Sequence, residues 1–199
     1  MTRDFFARPT LVVTRELIGK LLVHETAAGI TSGVIVETEA YIGESDPACH
    51  AAPGPTARNA PLYGPPGLAY VYLNYGIHNL VNAVTEAEGF PAAVLIRALA
   101  PLDGVESMRR RRLRSTTRQR PIPDNELCQG PGNLTVAMGI TLAHNQCDLL
   151  GSRLYIEDRG IDPGRLAWGS RIGIRVGTDR PWRIWQRGNA AVSGNTKGG

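Results

Sequence analysis

Short apolar runs, separated by clusters of proline and glycine, dominate the chain and predict a protein rich in β-strands. The clearest run is residues 31–41 (TSGVIVETEAY), which is β-branched and aromatic. In a strand, Ile35, Glu37, Glu39 and Tyr41 would share one face, because successive side chains point to opposite sides. The same kind of pattern predicts strands at residues 69–74, 80–84, 92–99, 153–157, 170–176 and 182–186.

Three segments have apolar residues at helical spacing. Residues 10–25 predict a helix followed by a short extended piece, residues 103–114 a helix with Asp103 as its N-cap, and residues 131–140 a short helix. Strands do not alternate with helices as they do in parallel sheets. We therefore predict an α+β fold with one domain over residues 1–192, a mostly antiparallel, curved sheet with flanking helices, and a flexible tail at residues 193–199.

A long connection and a tyrosine-rich hairpin stand out between the predicted strands. Residues 42–67 hold six prolines and exceed the usual loop length, which indicates either a functional or a disordered segment. The hairpin turns at Asn74-Tyr75-Gly76. Sheet packing is the plain explanation for Tyr70 and Tyr72, and for Tyr70 the better one, but a tyrosine at a glycine-bounded tip has little core to fill. Tyr75 has a shape that can wedge between base steps.

Composition and charge fit a globular protein with a polyanionic partner. Apolar residues make up 42% of the 199 residues, charged residues make up 20%, and the net charge is +4. Only Lys20 and Lys197 are lysines, so nearly all positive charge is guanidinium, which suits planar recognition of phosphate. The densest basic run, residues 109–114 with Arg118 and Arg120, fits phosphate contact and a solvated helix face equally well.

Several classes of protein and site are excluded by missing motifs. Cys49, Cys128 and Cys147 form no C-x-x-C pair, so neither a disulfide framework nor a zinc knuckle is predicted, and a reducing compartment fits best. No run approaches the roughly 18 apolar residues of a membrane span. The chain also lacks a phosphate-binding glycine fingerprint, metal-ligand spacing and a serine nucleophile elbow. We expect no metal, no cofactor and no membrane association.

Charged and polar residues inside apolar strands are the candidates for chemistry. Glu37 and Glu39 would project from one strand face about 7 Å apart. They are either solvated, paired with arginines, or catalytic. Arg97 ends the apolar run 94–96 and needs an anionic partner, for which Glu37 or Glu39 is the obvious candidate. Asn82 also lies in an apolar strand, against its propensity.

Taken together, these segments resemble the alkyladenine DNA glycosylase family of 3-methyladenine glycosylases, from Arg3 to about Val192. The resemblance rests on VETEAY (36–41), His50, YVYLNYG (70–76), Asn82, VLIRAL (94–99) and ELCQGPGNL (126–134). It implies that Glu39 is the general base for the attacking water and that Arg97 helps to hold this water. It also implies a base pocket walled by Tyr41, His50 and Tyr72, with Asn82 excluding the amino group of guanine and Tyr75 filling the gap in the duplex.

The implied reaction agrees with the chemistry of these residues. A damaged base must be flipped out of the duplex, and the tyrosines offer electron-rich faces to a cationic purine. Glu39 can stabilise an oxocarbenium-like sugar and accept a proton from water. Because neither lysine is placed to form a Schiff base, we predict a monofunctional glycosylase of base excision repair. We expect it to act as a monomer on double-stranded DNA containing alkylated bases, in the cytoplasm at a bacterial nucleoid.

Two rival functions remain open from the sequence. An inverting glycoside hydrolase could use carboxylates about 7 Å apart, but it predicts tryptophans near Glu39, whereas the three tryptophans lie between residues 168 and 185. A non-catalytic nucleic-acid-binding module could use stacking tyrosines and arginines without chemistry. That module predicts that Glu39→Gln leaves function intact.

Overall fold

The computed structural model describes residues 1–117 and 120–194, and its largest feature is one curled antiparallel sheet. The strand order is β3-β4-β5-β2-β1-β6, with β8 paired to β2 and β7 paired to β8. The arrangement confirms the predicted α+β fold. The strands are β1 (Leu21–Thr26), β2 (Gly29–Ile42), β3 (Ala69–Asn74), β4 (His78–Val84), β5 (Ala92–Pro101), β6 (Leu154–Glu157), β7 (Leu166–Gly169) and β8 (Arg183–Gln186).

Strand β2 organises the sheet because it is the longest strand and has three partners. It pairs with β5 along one edge, while β1 and then β8 share the other edge. Its register against β5 shifts on both sides of Glu37, from Ile35 opposite Leu99 to Thr38 opposite Ile96. Such bulges bend a strand and re-aim its side chains. The irregularity therefore lies at Glu37, one of the two carboxylates that the sequence singles out.

In the described part of the chain, five short α-helices flank the sheet and close its apolar core. They are α1 (Arg3–Phe6), α2 (Thr10–Glu16), α3 (Val105–Arg114), α4 (Asp124–Leu127) and α5 (Pro131–Met138). Helix α5 packs on β4 and β5, and α3 packs on α5. The core consists of fully buried apolar side chains, whose removal from water supplies the main driving force for folding. The largest include Phe6, Leu17, Ile35, Ile96, Leu99, Met108, Leu134 and Met138.

Glycines mark the boundaries of two helices. Helix α2 followed by β1 agrees with the predicted helix and extended piece, whereas α3 begins later than predicted. Helix α2 ends at Glu16, and at Gly19 the backbone has φ +89°, where an added Cβ would lie 2.8 Å from the carbonyl oxygen of Ile161. Gly104, with φ +70°, is the N-cap of α3. Asp103 is therefore not the predicted N-cap, and its carboxylate instead accepts a hydrogen bond of 2.6 Å from Ser32 Oγ.

The predicted strand at residues 170–176 is wrong, since this segment is an irregular loop. Its alternation of apolar residues resembles a strand, but no neighbouring strand supplies a ladder among the described residues. The backbone N–H of Ile172 instead donates to the carboxylate of Glu39 at 2.7 Å. Gly173 has φ +80°, which interrupts extended backbone. We call residues 170–177 the Arg171 loop.

The proline-rich connection at residues 42–67 is ordered by buried polar contacts. Asn59 is 2% exposed, and its Nδ2 donates to the carbonyl oxygens of His50 and Gly54 at 2.8 and 2.9 Å. A short 3₁₀ helix, Ala60–Tyr63, follows. A loop held in this way presents its side chains in fixed positions, as a functional segment requires.

The basic run and the predicted tail both contain residues that are tied to the rest of the fold. Arg109 forms ion pairs with Glu106 and Asp124, and Arg111 donates to the carbonyl oxygen of Ala137 at 2.8 Å. These contacts join α3 to α4 and α5, whereas Arg118 lies outside the described residues. Ser193, the first residue of the predicted tail, is 5% exposed. Residues 195–199 lie outside the described part of the chain.

Within residues 1–117 and 120–194, no helix combines the length and the apolar character needed to cross a lipid bilayer.

Candidate active site

A cavity of about 490 Å³ opens between the β3–β4 hairpin, the proline-rich connection and the Arg171 loop. This volume is typical of small-molecule sites. Six of the seven site residues predicted from the sequence line it: Tyr41, His50, Tyr72, Tyr75, Asn82 and Arg97. The seventh, Glu39, is 0% exposed and lies behind the lining. The fold therefore brings all seven positions, which span residues 39 to 97, to one place.

Glu39 is bonded to three groups that line the cavity. Its Oε1 accepts the backbone N–H of Ile172 at 2.7 Å, and its Oε2 accepts the Tyr41 hydroxyl at 2.9 Å and Arg97 Nη1 at 3.2 Å. Burial raises the pKa of Glu39 above its ordinary value, and the Arg97 cation opposes that rise. A carboxylate oxygen accepts about two hydrogen bonds, and the described residues supply Oε1 with one.

Glu37 has a different environment, although it is two residues away on the same strand. It is 0% exposed and accepts hydrogen bonds from Arg97 Nε at 2.9 Å, Arg183 Nε at 2.7 Å and the Ser193 N–H at 2.7 Å. Glu37 is thus paired with arginines, which is one of the three roles that the sequence left open for these carboxylates. Arg97 joins the two, because its Nε contacts Glu37 and its Nη1 contacts Glu39.

His50 and Tyr72 form an aromatic wall of the cavity. Their ring centroids are 4.4 Å apart, with the planes inclined by 65°. A hydrogen bond of 2.8 Å joins His50 Nδ1 to the Tyr70 hydroxyl, which fixes the imidazole in the wall. Burial, and then the Arg58 cation, lowers the pKa of His50. A lowered pKa favours the neutral imidazole in this wall.

Asn82 is held against the same cavity by the β3–β4 ladder. It lies opposite Tyr70, is 4% exposed, and donates from Nδ2 to the Tyr70 carbonyl oxygen at 2.9 Å. Tyr70 is buried, as sheet packing predicts, but its hydroxyl also supports His50. Tyr70 thus orients both His50 and Asn82.

Tyr75 lies at the mouth of the cavity and is mostly solvated. Its side chain is 84% exposed, and its backbone has φ +49°, a left-handed conformation that is uncommon outside glycine. Ile77, on the other side of Gly76, is 72% exposed. Backbone outliers of this kind persist where the surroundings determine them, and they cluster at functional sites. The tip therefore presents an aromatic and an aliphatic side chain to solvent.

The sequence reasoning missed several buried groups around this cavity. Asp46 and Arg171 form a buried ion pair, and Arg183 contacts Glu37. The argument that an arginine in an apolar strand needs an anion, which we applied to Arg97, holds equally for Arg183 in β8, whereas Arg171 lies in a loop. Ser193 and the backbone N–H of Ile172 carry no such signal in the sequence.

The described residues contain no group of three or more His, Cys, Asp or Glu side chains that could hold a metal ion. Cys49 lines the cavity, and burial raises the pKa of its thiol to about 11. It is thus a neutral thiol at physiological pH, whereas a nucleophilic cysteine needs a lowered pKa. None of the tryptophans is among the residues described as lining this cavity.

Comparison with known proteins identifies the family. The family model described as methylpurine-DNA glycosylase (MPG) matches residues 4–190. A protein of Methanocella arvoryzae is 48% identical over 202 residues, covering 100% of this chain and 98% of that protein. One from Rubrobacter xylanophilus is 52% identical over 169 residues, covering 84% of each, and one from Burkholderia cenocepacia is 47% identical over 195 residues, covering 96% and 90%. All three carry 3-methyladenine DNA glycosylase in their names.

A match over nearly the whole chain, together with a cavity built from the predicted residues, leads to one conclusion. The chain belongs to the methylpurine-DNA glycosylase family and is a DNA glycosylase, a hydrolase of N-glycosyl bonds.

Proposed function

We propose that this glycosylase removes alkylated purines of the 3-methyladenine type from duplex DNA, and that Glu39 activates the water that replaces the base. The observation that carries the proposal is the position of Glu39. It is a fully buried carboxylate that contacts Arg97, Tyr41 and Ile172, all of which line a cavity of about 490 Å³. The names of the relatives support the choice of substrate.

The target base has to leave the duplex before it reaches this cavity. Unstacking and unpairing cost a few kcal/mol, and a damaged base lowers that cost. We propose that Tyr75 at the hairpin tip inserts into the duplex and fills the gap, because an exposed ring can replace lost stacking. An alkylated purine is often cationic, so the faces of Tyr41 and Tyr72 with the neutral imidazole of His50 favour it by about 1 kcal/mol or more.

Hydrolysis then exchanges one bond at the sugar for another. The N-glycosidic bond breaks with its electron pair going to the purine, and the sugar acquires oxocarbenium character. The water oxygen bonds to the anomeric carbon while its proton passes to the Glu39 carboxylate. The remaining acceptor position on Oε1 suits this water, and Arg97 helps to hold it. The products are a free base and an abasic site.

The lysine positions favour a monofunctional enzyme. Lys20 Nζ pairs with Asp158 at 2.6 Å, and Lys20 is not among the residues that line the cavity. Lys197 lies outside the described residues. A lyase would need an amine to form a Schiff base with the sugar. We therefore expect borohydride to trap no covalent protein–DNA adduct.

Asn82 is proposed to select against guanine. The amide of Asn82 is fixed by its hydrogen bond to the Tyr70 carbonyl oxygen, so it is a rigid obstacle that excludes the extra amino group of guanine.

We propose that the enzyme acts as a monomer in the cytoplasm, at the nucleoid, where its substrate is alkylated double-stranded DNA.

Single-turnover release of 3-methyladenine from alkylated duplex DNA tests the proposal. The wild type should release the base, and Glu39→Gln should release it at least about a hundredfold more slowly, which is the usual contribution of a general base. Glu25→Gln is the matched control, because Glu25 is an exposed strand carboxylate. Both variants should bind the duplex as tightly as the wild type.

The outcomes separate the proposal from its rivals. Full activity in Glu39→Gln would contradict the assigned base, and binding by the wild type without any base release would favour a nucleic-acid-binding module. Release of a sugar from an oligosaccharide would favour a glycoside hydrolase. That rival is already weakened, because the described lining of the cavity contains no tryptophan platform.

A further inference from the structure

Asp46 and Arg171 form an ion pair behind the cavity wall. Both side chains are 0% exposed, and the contact is bidentate, with Nη1 to Oδ2 at 2.6 Å and Nη2 to Oδ1 at 2.8 Å. Arg171 Nη1 also donates to the Ala40 carbonyl oxygen at 3.0 Å. Neither residue is among those that line the cavity. A role for the pair must therefore act through other residues.

The pair connects two segments that each carry part of the lining. Asp46 is followed by residues 47–50, and Arg171 is followed by residues 172–176, and both stretches line the cavity. The Asp46 carboxylate also accepts the backbone N–H groups of Ile42 at 3.3 Å and Ala48 at 3.2 Å, so it shapes its own turn. Displacing either partner would therefore displace lining residues.

Two contacts lead from this pair to Glu39. Ile172, the residue after Arg171, donates its backbone N–H to Glu39 Oε1. The Arg171 guanidinium carbon lies 4.7 Å from the centroid of the Tyr41 ring, whose hydroxyl donates to Glu39 Oε2. Trp182 covers the guanidinium from another direction, with its ring centroid at 5.2 Å. Both oxygens of Glu39 thus have a partner that depends on the position of Arg171.

We propose that the Asp46–Arg171 pair positions the catalytic base, by holding the Ile172 N–H on one oxygen of Glu39 and the Tyr41 hydroxyl on the other. The proposal rests on the proposed function of Glu39. Buried ion pairs contribute little net stability compared with apolar packing, because desolvation offsets their attraction. Their planar, two-point geometry, however, fixes a position that a single hydrogen bond or a lysine does not.

The consequence for Glu39 depends on all the charged and titratable groups around it. Arg97 faces it from β5, Tyr72 from β3, and Tyr41 and Glu37 from β2, while Arg171 and the Ile172 N–H face it from the Arg171 loop. The Ile172 N–H favours the charged carboxylate. If the loop shifts and this bond is lost, the pKa of Glu39 rises. A base that must be deprotonated then becomes active only at higher pH.

The test compares Arg171→Lys and Asp46→Asn with a matched buried control, Arg112→Lys. Arg112 is 8% exposed and donates to the Leu127 carbonyl oxygen, away from the cavity. Single-turnover release of 3-methyladenine is followed from acid to alkaline pH, with duplex binding and thermal melting measured on the same samples. In parallel, carbon-13 NMR of the labelled Glu39 carboxyl reports its titration without reference to activity.

We expect Arg171→Lys and Asp46→Asn to move the acid limb of the rate profile and the Glu39 carboxyl titration upward together. A shift of about one pH unit corresponds to about a tenfold loss of rate below the limb. Duplex binding should change by less than about twofold, and Arg112→Lys should leave the titration unchanged. If Arg171→Lys does not fold, Asp46→Asn carries the test, since it keeps the size and one acceptor oxygen of Asp46.

A loss of rate without a shift in the carboxyl titration would overturn the proposal, and so would an unchanged rate and titration in a folded variant. Failure of the proposed function has a different signature. In that case Glu39→Gln retains activity, while the NMR titration of Glu39 still reports whether the pair positions the carboxylate.

Discussion

Two clusters of buried polar groups in this protein follow different rules. The pocket cluster, defined by Glu37, Glu39, Arg97 and Arg183, is charged, and two of its members contact groups that line the cavity. The histidine pair, His24 and His144, is 3% and 4% exposed, and neither ring lines the cavity. Burial and hydrogen bonding are thus common to both clusters. What distinguishes the pocket cluster is that its members are ion-paired side chains beside a cavity.

The histidine pair is neutral, and its hydrogen bonds define where its protons lie. His24 Nδ1 is 2.7 Å from the Met138 carbonyl oxygen and therefore carries a hydrogen. The two Nε2 atoms are 3.1 Å apart, so His144 Nε2 must donate to His24 Nε2. The Thr141 N–H donates to His144 Nδ1 at 3.0 Å, which completes the chain. Burial, the largest cause, lowers the pKa of both rings.

The largest effect is expected from removing the anion of the pocket cluster. Glu37→Ala leaves Arg97 and Arg183 buried without their shared partner, which should lower the free energy of unfolding by about 3–5 kcal/mol. Urea unfolding measures the change. Glu25→Ala, on an exposed position of β1, should stay within about 0.5 kcal/mol of the wild type. If Glu37→Ala loses as little stability as the control, Glu37 does not stabilise the two buried arginines and the account of the cluster is wrong.

The histidine pair predicts a moderate dependence of stability on pH. Because the pKa of each ring is lower in the folded protein than the ordinary value of 6.5, the unfolded chain binds protons first as the pH falls. The contribution of the two histidines to the free energy of unfolding is therefore fully present above about pH 6.5. Below that pH it declines by at most about 1.4 kcal/mol per pH unit for each histidine. Urea unfolding should show a shallower decline for His144→Gln, and an identical decline would contradict this account.

The hairpin tip should give the smallest effect, and one confined to activity on duplex DNA. Tyr75→Ala removes a side chain that is 84% exposed, so the stability should not change. Base release from duplex DNA should fall by about tenfold, because nothing replaces the stacking lost when the base is flipped, while release from single-stranded DNA should be unaffected. Ile30→Ala, another exposed apolar position, is the control. Equal losses on both substrates would argue against insertion.

Local patterns predicted the elements that carry most of the cavity. The alternation in residues 31–41 gave β2, and the turn at Asn74-Tyr75-Gly76 gave the hairpin, because both depend on neighbours in sequence. The same alternation at residues 170–176 failed, since it cannot reveal whether a partner strand is available. The Asp46–Arg171 pair joins residues 125 positions apart, and the bulge at Glu37 depends on the register with β5. Such features arise only once the sheet has curled.

The rate of base release against pH, measured at saturating enzyme for the wild type and Glu39→Gln, tests the assignment of the base most directly. The wild-type rate should rise with pH and level off as Glu39 loses its proton, at a pH above the ordinary carboxyl range because burial raises this pKa. Glu39→Gln should be slower by at least about a hundredfold and should lack this limb. If Glu39→Gln follows the same limb as the wild type, another group is the base and the account is wrong.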